Sequence, residues 1–464
     1  MSEQSMNDIP PTICSINSIL NARTVAVVGA SSDPVKFGYM TIDSIIRGAY
    51  EGKLYAVNPK GGEILGIHVH RSLTEVPEPL DAIVVIVPAK LVPGVLREAA
   101  SKGVRGAIIQ SAGFREAGRA DLEEEILTVS RECGIRLMGP NIQGINYLPN
   151  KLCAMFFPVI KRKGPLAIVS QSGSVTAALS EWADRDGLGI SAAINLGNQT
   201  DICEADYLEF FAQDCNTQTI VMYIEGIKNG RRFLEAVKKA TPRKAVVVLK
   251  AGRSETGARS AASHTGSMAG GHEVFSAACR QYGAVSVQDL VALYDSAKGL
   301  ACIKQPKGMR LMIISTSGGA ATLSADEAEA SGLSIPSLPD ELKDELKRLA
   351  LSPLAHLANP LDLAGITATD FLKTARLLDH YGIADTMLIN FADPVEGGIE
   401  VIKALASELR TSLAVSYMGG GEHEKRGSVE IQKMRVGVFP SPERAVRGIA
   451  AAAWKAGYDR RLIQ

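Results

Sequence analysis

Residues 257–271 read Gly-Ala-Arg-Ser-Ala-Ala-Ser-His-Thr-Gly-Ser-Met-Ala-Gly-Gly, which sets His264 in a run with little side-chain bulk. An imidazole presented this way can approach a phosphate or a second protein surface, and its nitrogen is a competent temporary phosphoryl carrier at neutral pH. Such a loop suits a covalent intermediate. Residues 272–283 follow with the amphipathic pattern of a short helix, whose free N–H groups and positive dipole end face back toward the loop. An anion held beside His264 would therefore be stabilised. A lone histidine on a surface loop is more often only solvated, so the rest of the chain must carry the argument.

The elements that would position His264 are four apolar runs, 166–169, 191–194, 219–224 and 244–249, each handing over to a polar, glycine-bearing turn. The turns are Ser170-Gln171-Ser172-Gly173-Ser174, then 196–200, then Glu225-Gly226, and finally 250–252, which leads into the His264 loop. In a doubly wound sheet such turns gather at the carboxyl edges of the strands, where ligands bind. Glu225 and His264 are thus predicted neighbours.

Upstream, a strand over 24–28 stops at Gly29-Ala30-Ser31 and leads to a helix over 38–48. Strands at 53–57, 81–87 and 106–109 alternate with helical patterns at 91–102 and 119–132, the spacing of parallel strands with crossover helices. The first turn lacks a complete Gly-x-Gly-x-x-Gly. The second strand ends in Asn58-Pro59-Lys60, where an NAD site would want an acid for the ribose hydroxyls. A lysine there favours an extra phosphate, as in NADP or coenzyme A, and the missing fingerprint favours coenzyme A. Lys36 could add a second phosphate contact. Residues 161–165 read as a linker. A third series has strands at 309–314, 386–389 and 413–416 and helices at 321–331 and 340–351. Its Ser317-Gly318-Gly319 turn could cradle a phosphate or be a plain tight turn. The predicted fold class is α/β: a Rossmann-like domain over 12–150, then two flavodoxin-like doubly wound domains over 160–305 and 308–464.

The 464 residues are too many for one core. Lys plus Arg and Asp plus Glu both number 50, with no basic block, so neither a nucleic acid nor an anionic membrane is expected as partner. The seven cysteines show no Cys-x-x-Cys spacing, which suits reduced thiols, and no metal site is expected. The polar N-terminus and the lack of a run of roughly 18 apolar residues predict a soluble, cytoplasmic protein.

The ordered set Val28-Gly-Ala-Ser31, Val57-Asn-Pro-Lys60, Gly139-Pro-Asn141, Ser170-Gln-Ser-Gly173, Gly197-Asn198, Glu225-Gly226, Ser263-His-Thr-Gly266, Ala269-Gly-Gly271, Ser317-Gly-Gly319 and Asn359-Pro-Leu-Asp362 covers nearly the whole chain. In it the chain resembles the alpha subunit of an NDP-forming (ADP-forming) acyl-CoA synthetase, and its first two domains are similar to the succinyl-CoA synthetase alpha subunit. The resemblance implies that His264 is phosphorylated during turnover and that Glu225 orients its ring. It implies coenzyme A binding through Gly29, Ala30, Ser31, Lys36, Asn58, Pro59, Lys60, Val87, Pro88, Ser111, Ala112, Gly113 and Asn141. Ser170, Gln171, Ser172 and Gly173, with Gly270 and Gly271, would hold phosphate, the turn N–H groups of Ser172-Gly173 and Gly270-Gly271 gripping the phosphoryl oxygens.

The family places Mg-ATP on a nucleotide-grasp domain, in a beta subunit or a fused extension. The chain is therefore expected to be half of a ligase, in an alpha2beta2 assembly, joining a small carboxylic acid to coenzyme A. Two departures stand out. Ile142-Gln143 follows the Gly-Pro-Asn element, where the family often has Cys, and Phe156-Phe157 is either a reshaped acyl pocket or a pair of core aromatics. The rival expectations are a protein lysine acetyltransferase regulator, disfavoured because no acetyltransferase domain is found and His264 is retained, a non-catalytic coenzyme A-binding regulatory module, and an NADP-linked dehydrogenase.

Overall fold

The computed structural model describes residues 11–259, 271–349, 354–363, 367–392, 395–419 and 421–463. His264 and Gly270 lie outside the described residues. The strands form three sheets. The first comprises β1 (Thr24–Val28), β2 (Lys53–Val57), β3 (Glu63–Ile64), β4 (Ile67–His70), β5 (Ala82–Val85), β6 (Gly106–Ile109) and β7 (Arg136–Met138), in the order β3-β4-β2-β1-β5-β6-β7. All its pairings are parallel except β3 with β4. Val-Ala-Val-Val, Ala-Ile-Val-Val and Gly-Ala-Ile-Ile are buried throughout, as befits strands covered on both faces by crossover helices. A helix at Pro11–Leu20, unmarked by the sequence pattern, packs on β6, and Gly106 makes room for it: a Cβ there would stand 2.0 Å from the Ile19 side chain.

The second sheet comprises β8 (Gly144–Tyr147), β9 (Leu152–Met155), β10 (Lys163–Ser170), β11 (Ile190–Asn195), β12 (Thr219–Ile224), β13 (Ala245–Lys250) and β14 (Val285–Val287), in the order β14-β13-β12-β10-β11-β8-β9. The hairpin β8-β9 straddles residue 150, the expected end of the first domain, yet β8 pairs antiparallel with β11, Asn146 opposite Ala193. Both strands are wholly buried, so they close the edge of this sheet. β10 begins at Lys163, within the expected linker.

The two sheets meet through their turns. Gly197 has φ +55°, and a Cβ on it would lie 2.2 Å from the Pro140 carbonyl oxygen, so only glycine lets the loop after β11 seat against the Gly139-Pro140-Asn141 turn. The Asn198 amide donates to Glu116 Oε2 at 2.6 Å and Glu123 Oε2 at 2.9 Å, Arg115 pairs with Glu123 at 3.1 Å, and the Lys228 ammonium donates to the carbonyls of Asn198 (2.8 Å) and Gln199 (3.0 Å).

The contacts group residues up to 185 with 189–286 in one compact unit, and 186–188 with residues from 287 onward in another. In the second unit β15 (Leu311–Ser315), β16 (Leu361–Asp362), β17 (Thr386–Phe391), β18 (Ser412–Tyr417) and β19 (Gly437–Phe439) form a wholly parallel sheet, β16-β15-β17-β18-β19. The helix Leu290–Cys302, which falls within the residues expected for the middle domain, makes its contacts with this unit. It crosses the helix Pro442–Ile463 at glycines, a Cβ on Gly299 falling 2.3 Å from the Gly448 oxygen, and Arg444 forks the fully buried Asp295 at 2.8 and 2.7 Å. The turn after β15 repeats the turn after β10. Ser315 Oγ donates to Ser317 O at 2.7 Å and accepts from Ser317 N at 3.1 Å, as Ser170 does with Ser172 at 2.8 and 3.1 Å. The Asp362 carboxylate lies against this third-sheet turn, 2.9 Å from where a Gly318 Cβ would be. Among the described residues no helix is long and apolar enough to cross a membrane.

The Glu116 link yields a pH prediction. Burial opposes its charge, but hydrogen bonds from Asn198 and from the N–H groups of Gly113 and Phe114 hold the carboxyl below its ordinary value of 4.5. A carboxyl depressed on folding adds stability above its unfolded value, and that stability drains away as pH falls through the folded value. Because the side chain faces solvent, Glu116→Gln should lower the melting temperature by only about 1–2 °C at pH 7. Calorimetry should show the gap from wild type closing as pH drops below the usual carboxylate range.

Candidate active cleft

The turn Ser170-Gln171-Ser172 bends β10 into the helix Gly173–Arg185, whose N-terminal N–H groups open on a cleft of about 340 Å³. Glu225 ends β12 beside it, 8% exposed. The Gln171 carboxamide clasps that neighbouring turn. Its Oε1 accepts from the N–H groups of Glu225 (2.6 Å) and Gly226 (2.9 Å), and its Nε2 donates to the Gly226 carbonyl at 2.7 Å. Burial, with the Glu225 carboxylate alongside and hydrogen bonded to it, pushes the Tyr223 phenol up to about 12. Lys250, buried at the end of β13, donates to the Glu225 and Ala251 carbonyls, both at 2.8 Å. Burial pulls its ammonium below the ordinary lysine value, against the pull of Glu225.

Across the cleft stand the turns of the first sheet. Asn58 Nδ2 donates to the Ala30 carbonyl at 2.8 Å and its Oδ1 accepts from Lys60 N at 3.0 Å, so the turns after β1 and β2 are one structure. Gly29, at φ +96°, brings the first turn so close to β5 that a Cβ would meet the Ile86 oxygen at 2.0 Å. Ser31 Oγ accepts from Asp33 N at 3.1 Å, and Lys36 caps the helix Phe37–Arg47 with its side chain exposed. Pro59 and Lys60 are exposed as well. Ser111 Oγ accepts from Val87 N at 3.0 Å, just before Pro88, and Asn141 N donates to the Ser111 carbonyl at 3.0 Å, so the turns after β5, β6 and β7 are also tied together.

Of the residues anticipated from sequence, Ala112, Asn141, Gln171, Ser172, Gly173 and Glu225 line the cleft. Gly29 to Ser31, Lys36, Asn58 to Lys60, Val87, Pro88, Ser111 and Gly113 sit on the same carboxyl edge without lining it. Ser170 is fully buried, its hydroxyl closing the turn. Gly271 caps the helix His272–Gln281 and borders a separate apolar pocket of about 290 Å³ with Lys250, Phe233 and Phe275. The pairing of Glu225 with His264 falls on a residue outside the described ones.

Sequence reasoning missed Phe37, Gln110, Asn195 and Lys228, which also line the cleft, as does Gln199 of the anticipated 196–200 turn. Gln110 and Asn195 are buried, with amides already used: Gln110 Nε2 donates to the Gln143 and Ala154 carbonyls at 3.1 Å, and Asn195 Oδ1 accepts from Gln143 N at 2.7 Å. Their position at the ends of β6 and β11 was the available signal. Gln143 differs. Its carboxamide lies over Gly173, where a Cβ would stand 2.7 Å from it, and its buried Oε1 has no donor among the described residues.

The comparisons with known proteins agree with this arrangement. A CoA binding domain family matches residues 23–148, and the succinyl-CoA ligase like flavodoxin domain family matches residues 163–300. The chain is 38% identical to the alpha subunit of ADP-forming acetate–CoA ligase I of Pyrococcus furiosus, over 96% of this chain and 100% of that one. It is 34% identical to the alpha subunit of ligase II of the same organism, over 95% and 96%. In structure it matches the dinucleotide forming acetyl-coenzyme A synthetase 1 of Ca. Korarchaeum cryptofilum, solved with phosphate and ADP, at TM-score 0.88 and 31% identity over 96% and 98% of the two chains. The chain therefore belongs to the alpha-subunit branch of the ADP-forming acyl-CoA ligases, a CoA-binding domain followed by flavodoxin-like domains.

Proposed function

We propose that the cleft is where an acyl group passes from phosphate to coenzyme A, with His264 as the phosphoryl carrier and Glu225 as the carboxylate that fixes its ring. The observation that carries this reading is the single cleft shared by Glu225, the N-terminus of the helix Gly173–Arg185, and Ala112 and Asn141 at the edge of the CoA-binding sheet. In the synthetic direction an imidazole nitrogen of His264 bonds to the terminal phosphorus of ATP as the P–O bond to ADP breaks. The carboxylate oxygen of the acid then takes the phosphoryl group, the N–P bond breaking, and the resulting acyl phosphate carries a good leaving group. The thiol of coenzyme A gives up its proton, attacks the acyl carbon, and phosphate departs. The turn N–H groups at Ser172-Gly173 are preorganised for the phosphoryl oxygens, and Glu225 supports the imidazolium charge.

Coenzyme A fits the first sheet's edge by its chemistry. Lys36 and Lys60 offer exposed ammonium groups for phosphates, and the orphaned Gln143 Oε1 suits an amide N–H or thiol of the pantetheine arm. Relatives named as alpha subunits imply a partner. We assign that partner the nucleotide-grasp domain that binds Mg-ATP, in an alpha2beta2 enzyme. The three sheets support a three-domain division near 12–150, 160–305 and 308–464, with the hairpin β8-β9 moved to the middle domain. The seven unpaired cysteines suit the reducing cytoplasm.

Incubating the complex of this chain and its beta partner with ATP labelled at the terminal phosphate should label this chain, and His264→Ala should abolish both the label and thioester synthesis. An unlabelled but coenzyme A-binding chain would point to a regulatory module instead. Glu225→Gln should slow label formation by roughly 10²–10⁴-fold while leaving the KM for the acid near wild type. Gln143→Ala should raise the KM for coenzyme A by about 2–10-fold, the worth of one neutral hydrogen bond, with kcat little changed. Steady-state kinetics with coenzyme A varied checks this.

A further inference from the structure

The cleft and a second cavity share one side chain. Phe156 lines the cleft of about 340 Å³ and also a neighbouring groove of about 610 Å³ bordered by Pro34, Tyr39, Met40, Phe157 and Pro158. Its ring stacks on Phe37 with centroids 4.3 Å apart and planes inclined 17°, and it leans on Phe157 at 6.2 Å. Phe37 is 53% exposed and Phe157 51%, so these rings do not fill a core. Phe37 opens the helix Phe37–Arg47 of the first sheet, while Phe156 follows β9 of the second, so the wall is assembled from both. Among the described lining residues Lys228 is the one cation and Glu225 an anion, and two of the three ammonium protons of Lys228 are already given to the carbonyls of Asn198 and Gln199, so a second carboxylate on the acid would meet one remaining N–H and a like charge.

We propose that Phe156, braced by Phe37, is the specificity-determining wall at the acyl end of the cleft. The acid's tail ends against the stacked rings, which selects a short monocarboxylate, and shortening Phe156 opens the cleft into the groove behind it. This rests on the reading of the cleft as the acyl-transfer site.

The test uses the complex with the beta partner and compares kcat/KM for acetate, hexanoate and succinate in wild type, Phe156→Ala and Phe156→Leu. Wild type should favour acetate over both other acids by at least about tenfold. Phe156→Ala should raise the hexanoate-to-acetate ratio by about tenfold or more, Phe156→Leu should move it less in the same direction, and succinate should stay poor throughout. An unchanged ratio in variants that still bind coenzyme A would overturn the wall, as would a wild type that uses hexanoate or succinate as well as acetate. Should Phe156→Ala fail to fold, Phe156→Leu and the wild-type series decide. A wild-type chain that ATP and the beta partner never phosphorylate would instead sink the ligase reading itself. Phosphorylation with an unmoved acid ratio sinks only the wall.

Discussion

The site hangs on the Gln171 carboxamide. Three hydrogen bonds join it to the backbone of Glu225 and Gly226, so the turn that begins the helix Gly173–Arg185 and the turn that presents the carboxylate cannot move apart separately. A side-chain amide is well suited to this. It offers one acceptor and one donor in a single plane, and two N–H groups on successive residues converge on the acceptor. The separation between the helix N-terminus and the Glu225 carboxylate is thereby a property of the adjacent parallel strands β10 and β12, and the reaction proposed for the cleft would use it as preorganisation.

Around this clasp the polar groups divide into those already satisfied and those left open. Gln110, Asn195, Asn198 and Lys228 line the cleft, but each uses its polar atoms to hold one backbone segment against another. Satisfied buried amides add rigidity and little affinity, because there is nothing left for a ligand to gain. The helix Gly173–Arg185 presents its N-terminus to the cleft, the Glu225 carboxylate is shared with the Tyr223 phenol, and the Gln143 carboxamide oxygen is left without a donor among the described residues. The apolar part of the wall comes from Phe37 and Phe156.

Much of this was legible in residue order. The apolar runs at 24–28, 106–109, 219–224 and 244–249 announce buried parallel strands, since a strand covered on both faces is apolar almost throughout. The glycine-bearing turns that end them announce a carboxyl edge where ligands gather. The hairpin β8-β9 was not legible, because a short buried run looks alike whether it ends one sheet or edges the next, and long-range pairing with β11 made the choice. The contacts of the helix Leu290–Cys302 were not legible for a related reason: they depend on Gly299 meeting Gly448, far along the chain.

The sequence alone settled the α/β class, the family resemblance and the residue types able to do the chemistry, because strand periodicity, turn glycines and a histidine among small residues are local features. Only the tertiary structure decided which amides are spent on scaffolding and which remain open, and that one phenylalanine borders two cavities. Those facts depend on hydrogen bonds and ring contacts between residues from tens of positions to more than a hundred apart, as from Phe37 to Phe156, and no local pattern encodes such a pairing.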